Sequence, residues 1–249
     1  FDNADLGGGE LSGNEQDEKP FAYDLTMGEI LGRRTAEMHR ALAVETDDPD
    51  FALEKTASED LEGWVAAAQA EVEEMLGALE EATATLDGEA AALADAVLER
   101  RDRLKARINA CRGLEPSGGR TRIHGDYHLG QLLVAQNDVY IIDFEGEPRR
   151  SLEERREKTT PLRDVAGMLR SIDYVAAASV RQQAQMLPGH EDRAAERAAR
   201  WRWQTIEQFL AAYRETISGS RVATTDADFE RAVLDLFLLQ KAAYESLYE

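Results

Sequence analysis

A single cysteine, Cys111, is all the thiol this chain of 249 residues contains. One thiol excludes an internal disulfide and a multi-thiolate zinc site. Its apolar helical register reads as a buried, inert position. Long hydrophobic runs are also missing. Nothing approaches the roughly 18 apolar residues of a membrane-spanning helix, and Phe1 to Glu10 lack the basic and apolar regions of a secretory leader. A membrane is therefore not an expected partner, and the expected compartment is the cytoplasm. Positive charge is scarce, with 29 Lys and Arg against 49 Asp and Glu and a formal net charge of -20. Such a surface repels the phosphate backbone of nucleic acid and anionic lipid alike. Apolar residues make up 43% of the chain, enough for a sizeable core and too many for disorder throughout.

The first 25 residues, with Gly7, Gly8, Gly9 and Gly13 among acids, read as a flexible linker. From residue 26 helical spacing dominates. Thr26 and Glu29 make a capping-box signature, and a helix is expected from there to the Asp47-Asp48-Pro49 loop. A longer helix carries Leu61, Trp64, Val65, Ala68, Val72, Met75, Leu76 and Leu79 on one face. After a turn at Asp87-Gly88, the series Leu93, Val97, Leu104, Ile108 and Cys111 predicts an antiparallel partner for it. The period then changes to that of strands, Leu132 to Ala135 and Val139 to Ile142, around a Gln136-Asn137-Asp138 turn. Residues 146 to 160 are polar, and helices are expected over about 162–180, 191–218 and 226–248. The fold class expected is mainly α, with one short β-hairpin.

The chemistry is concentrated around that hairpin. Before it stands His124-Gly125-Asp126-Tyr127-His128-Leu129-Gly130-Gln131, and after it Asp143-Phe144-Glu145. Protein kinases use the same frame: H-R-D, an amide five places after the Asp, a strand pair, then D-F-G. Here the catalytic loop covers residues 123–131, the hairpin 131–142 and the metal-binding segment 143–145. Phosphoryl transfer needs a base for the incoming hydroxyl and metal ions for the charge on the phosphates. Asp126 suits the base. Gln131 and Asp143 are hard oxygen donors of the kind Mg2+ takes beside phosphate and water. His124 is expected to hold the loop, and Asp164 to be its structural partner.

His124 to Gln131, Ile141 to Pro148 and Pro161 to Tyr174 resemble the bacterial maltokinases, including those fused behind trehalose synthase. Leu31 to Ala43 and Asp235 to Glu249 extend the resemblance over nearly everything after residue 26. These enzymes are aminoglycoside-phosphotransferase-like kinases. The resemblance implies a C-terminal lobe of kinase-like fold and transfer of phosphate from ATP to the anomeric hydroxyl of maltose, for α-glucan synthesis. It assigns Asp126 as base and Gln131 and Asp143 as Mg2+ ligands, with Glu145 in the place of the kinase glycine as a further metal or phosphate ligand.

Lys241, Tyr244 and Tyr248 fall on one face of the last helix and are assigned to the sugar by this resemblance, with His128, Arg170 and Asp173 as further candidates. An ordinary amphipathic helix explains the same stripe. A kinase also needs an N-terminal lobe with a strand-borne lysine, and only Lys19 precedes the first helix. The expectation is a lobe without its partner lobe, folded but inactive alone. A related sugar or aminoglycoside kinase, or a non-catalytic docking module beside a trehalose synthase domain, are the alternatives.

Overall fold

A computed structural model describes residues 22–186 and 189–247, with side chains from Met27 onward. The Gly7-Gly8-Gly9 run, Lys19 and Tyr248 lie outside the described residues. The chain is mostly helical, running α1 (Ala22–Leu42), β1 (Glu54–Lys55), α2 (Ser58–Thr83), α3 (Gly88–Leu98), α4 (Arg101–Asn109), β2 (Gly119–Arg120), β3 (Leu132–Ala135), β4 (Asp138–Ile141), α5 (Leu152–Arg156), α6 (Leu162–Met186), α7 (Glu191–Ile217) and α8 (Ala227–Ser246). It divides into two compact units, and α1, α6 and the hairpin each contribute residues to both.

The first unit comprises the described residues up to Glu37, Leu133–Tyr140 and Ile172–Thr216. Its core is apolar side chains of α6 and α7, including Ile172, Ile206 and Phe209, the last stacked 6.2 Å from Tyr213. Glycine brings α1 close to α7: a Cβ on Gly32 would lie 2.2 Å from the Phe209 carbonyl oxygen, and one on Gly28 3.0 Å from that of Thr205. Gly32→Ala is therefore expected to lower stability by about 2–3 kcal/mol, because backbone must move to admit one methyl. Urea unfolding measures it, and an unchanged midpoint would refute the close approach. In the hairpin turn Gln136 and Asn137 take left-handed conformations, φ 54° and 60°, as a two-residue type I′ turn requires. The next residue, Asp138, is bound by Arg34 of α1, with Nε 2.9 Å from Oδ1. That guanidinium holds the Asp138 carboxyl down at about 2.

The second unit comprises Met38–Leu132, Ile141–Ser171 and Ile217 onward. Leu61, Val65, Ala68, Val72 and Leu76 recur along α2 at helical spacing and are all buried. Against them pack Phe229, Val233, Leu236 and Phe237 of α8, with the Trp64 and Phe237 rings 5.6 Å apart. Each such fully buried large side chain stabilises by about 1.5–3 kcal/mol relative to exposure. α4 is tied to α8 by Arg107 and Asp235 at 2.8 Å. Cys111, just beyond α4, is buried, and burial pushes its thiol up to about 12, so it stays protonated at neutral pH. No described helix is long and apolar enough to cross a membrane.

Several expectations need correction. α1 begins at Ala22, so Thr26 lies inside the helix rather than capping it, although its end at Leu42 does precede the Asp47-Asp48-Pro49 loop. The single helix expected from Leu93 to Cys111 is two, α3 and α4, broken at Glu99-Arg100, and Leu93 is exposed. The hairpin is not the one sheet. β1 and β2 form a second antiparallel ladder, with Glu54 opposite Arg120 and Lys55 opposite Gly119. The polar stretch 146–160 contains α5, started by a capping box of Ser151 and Glu154.

Candidate active site

The site lies in the second unit, where the catalytic loop runs into β3 and the segment after β4 returns beside it. Asp164, in the first turn of α6, organises the loop. Its Oδ2 accepts from the His124 amide at 2.7 Å and its Oδ1 from the Gly125 amide at 2.9 Å. His39 of α1 places Nε2 3.1 Å from the same Oδ2, and both side chains are buried. His124 is fixed at both ring nitrogens. Nε2 donates to the Ile142 carbonyl at 2.9 Å, which leaves Nδ1 to accept from the Asp126 amide at 3.4 Å. Its ring packs against Tyr127 and Phe144, at 5.2 and 4.9 Å. Gly125 has φ 85°, and a Cβ there would lie 3.2 Å from the Gly146 Cα, so glycine is required where the two segments meet.

α6 supports the loop from below. A Cβ on Gly167 would lie 2.7 Å from the Tyr127 carbonyl oxygen, and Ser171 Oγ accepts from the Leu129 amide at 3.1 Å. His128 caps the single 3-10 turn Leu129–Gln131: its Nδ1 accepts from the Gly130 amide at 3.0 Å. Its Nε2 lies 3.8 Å from Asp126 Oδ2. The base of the hairpin closes with the Ile142 amide donating to the Gln131 carbonyl at 3.0 Å. This brings Gln131 Nε2 to 3.3 Å from Asp143 Oδ2. Asp143 itself is left-handed, φ 64°. Among the described residues no three of His, Cys, Asp and Glu gather as a metal cluster. One amide and one carboxylate form the donor pair, which fits Mg2+, an ion that keeps water and phosphate for most of its ligands. Glu145 is exposed, and its carbonyl accepts from Arg155 at 3.4 Å.

Asp126 heads a cleft whose other walls come from α2, α8 and residues 147–167. Lys241 of α8 lies 3.4 Å from Asp126 Oδ1 and 3.5 Å from Glu147 Oε2. Glu71 of α2 accepts from Arg150 at 3.1 Å and from Gln240 at 3.2 Å through Oε1. Lys241 and Arg150 stand 5.6 and 5.9 Å from the centre of the Tyr244 ring. Arg163 shares the cleft, and burial lowers its pKa. The structure thus brings Asp126, Lys241 and Tyr244 together. Arg170 instead pairs with Glu245 of α8 at 2.8 Å, and Asp173 pairs with Arg202 in the first unit.

Five polar cleft residues, Arg163 among them, and one support were not found from sequence. Glu147 lay unassigned inside I-I-D-F-E-G-E-P, with Arg150 just beyond it. Glu71 flanks the buried Ala68 and Val72, and Gln240 lies on the buried face of α8 between Phe237 and Ala243. Polar residues in those registers were the available signal. His39, wholly buried in a basic helix end, was the other.

A loop that presents one carboxylate into a cleft, next to an amide and carboxylate pair at the base of a hairpin, is the apparatus of a phosphotransferase. The model of the phosphotransferase enzyme family matches residues 5–197, and the chain belongs to that family. It is 29% identical over 233 residues to a glucosamine kinase of Streptacidiphilus jiangxiensis, covering 90% of this chain and 47% of that protein. A glucosamine kinase of Mycolicibacterium smegmatis matches 53 residues at 42% identity, 21% of this chain and 13% of that protein. A solved glucosamine kinase in complex with glucosamine, ADP and inorganic phosphate shares the fold, with a TM-score of 0.67 at 24% identity over 91% of this chain and 48% of that one. The chain spans about half the length of the S. jiangxiensis protein and of the solved structure. These relatives are sugar kinases of the expected family, but glucosamine kinases rather than maltokinases.

Proposed function

We propose that this chain carries the base and the acceptor cleft of an ATP-dependent sugar kinase whose acceptor is an amino sugar of the glucosamine kind. The observation that carries this reading is the cleft itself, where Asp126 and Glu147 share Lys241 at 3.4 and 3.5 Å while Glu71 is paired with Arg150. Carboxylates suit a cationic sugar, and the relatives named above are glucosamine kinases. Asp126 takes the proton of the attacking hydroxyl, and the Asp164 and His124 contacts fix where its carboxylate sits. Gln131 and Asp143 would hold Mg2+, which supplies the positive charge that the nucleotide phosphates need beside so acidic a protein. Residues 26–249 act on this reading as the helical lobe, with the nucleotide's covering lobe supplied from outside them. Maltose, expected from the resemblance to maltokinases, is the competing acceptor.

ADP release by the intact polypeptide that carries this chain, with Mg-ATP and glucosamine, glucose or maltose, tests the reading. Glucosamine is expected to give a kcat/KM at least about tenfold above maltose, a difference of about 1.4 kcal/mol in transition-state stabilisation. Preference for maltose would replace the acceptor, and ADP release stimulated by no sugar would remove the kinase reading. Asp143→Ala is expected to lower turnover by about a hundredfold or more, without rescue by excess Mg2+. Wild-type rates at saturating metal would contradict the ligand assignment.

A further inference from the structure

Lys241 is shared loosely between two carboxylates. Nζ lies 3.4 Å from Asp126 Oδ1 and 3.5 Å from Glu147 Oε2, both longer than the roughly 2.7–2.9 Å of a well-made charged hydrogen bond. The three side chains keep 26%, 16% and 14% of their surface exposed, so the ammonium borders the cleft. The face of the Tyr244 ring, 5.6 Å away, adds a third attraction for a cation. On the far wall Glu71 is already compensated by Arg150 at 3.1 Å, so the two carboxylates beside Lys241 are the ones open to exchange. A lysine stem is flexible and its ammonium is a compact point charge. The assembly is thus a cation seat occupied by a cation that can leave.

We propose that Glu147 and the face of Tyr244 form a seat for the acceptor's ammonium group, that Lys241 fills it and bridges to Asp126 while the cleft is empty, and that Glu147 is the residue that makes the site prefer a charged sugar. The proposal rests on the amino-sugar reading of the cleft and adds to it the residues and the exchange. An incoming ammonium replaces one positive charge with another, so the carboxylates are never left uncompensated. A neutral sugar brings no charge to exchange. It must either bind with Lys241 still against Asp126, away from the geometry a base needs, or displace the lysine without replacing its charge. Selectivity then arises from a penalty on the wrong acceptor as well as from attraction to the right one.

The exchange and a purely structural ion pair predict opposite results. Calorimetry of the chain with glucosamine and with glucose, for wild type, Lys241→Met and Glu147→Gln, separates them. If Lys241 competes with the ligand, Lys241→Met tightens glucosamine binding by about five- to tenfold, whereas Glu147→Gln weakens it by about tenfold. Glucose affinity changes by less than about threefold in Glu147→Gln, since no charge is being recognised. Lys241→Met that weakens glucosamine, or Glu147→Gln that weakens both sugars alike, overturns the proposal. Thermal unfolding of each variant reports its fold, and Lys241→Gln replaces the methionine variant if that one unfolds. Wild-type chain that binds neither sugar would contradict the acceptor reading instead. The seat is then read by 15N NMR of the lysine ammonium groups with ethanolammonium as probe: a shifted Lys241 signal supports the exchange, and an unmoved one overturns it.

Discussion

Asp126→Asn is expected to reduce phosphoryl transfer by about a thousandfold while leaving the fold intact. The side chain's polar contacts that an amide would weaken are both long, Lys241 at 3.4 Å and His128 at 3.8 Å, so little of the loop's shape depends on its charge. That shape is set by Asp164, His124 and Gly125, which the substitution leaves alone. An asparagine of the same size still accepts a hydrogen bond from the attacking hydroxyl, but it cannot take the proton. Turnover should therefore fall with little change in KM, measured as ADP release with saturating sugar. A loss under tenfold, about 1.4 kcal/mol, would show that the base is elsewhere.

Asp164→Ala has the larger expected effect on stability, about 3–5 kcal/mol, a large share of what holds a domain of this size together. Three groups converge on that carboxylate: the His124 and Gly125 amides and the His39 ring. Removing it leaves two amides without an acceptor in a loop where His124 is buried, each costing about 1–3 kcal/mol in desolvation. Asp164→Asn should fall between alanine and wild type, because one oxygen still accepts while the new NH2 faces a donor. Urea denaturation followed by circular dichroism gives both differences. A loss below about 1 kcal/mol for alanine would mean that the loop is held by other contacts.

The long amphipathic elements were legible because their periods are local. α2 and α6–α8 repeat apolar residues every three or four positions, whereas the packing of α8 on α2 joins faces far apart in sequence and was not foreseen. The two-residue strands β1 and β2 are too short to show any period, and their pairing joins residues far apart in sequence. α5 has no buried residue and hence no apolar stripe, though Ser151 and Glu154 announced its start. The same signature misled at Thr26, since Thr-x-x-Glu also fits inside a helix. Within the proposed site, the approach of Gln131 to Asp143 was legible because one short hairpin separates them. The cleft wall was not, because Glu71 and Gln240 come from helices whose polar residues acquire meaning only when Gln240 and Arg150 both reach Glu71. Lys241 was assigned to the sugar, whereas its neighbours in the structure are two carboxylates.

Gly167 brings no side chain to the cleft it lines, yet its hydrogen faces the Tyr127 carbonyl where any carbon would stand 2.7 Å away. Tyr127 follows Asp126 directly in the chain, so a larger residue in α6 would be felt one peptide bond from the proposed base. A screen that scores variants by activity alone would rank this position with the chemistry. For anyone borrowing the lobe to build a new transferase, position 167 is as fixed as the aspartate, and the freedom to redesign lies on the opposite wall, in α2 and α8.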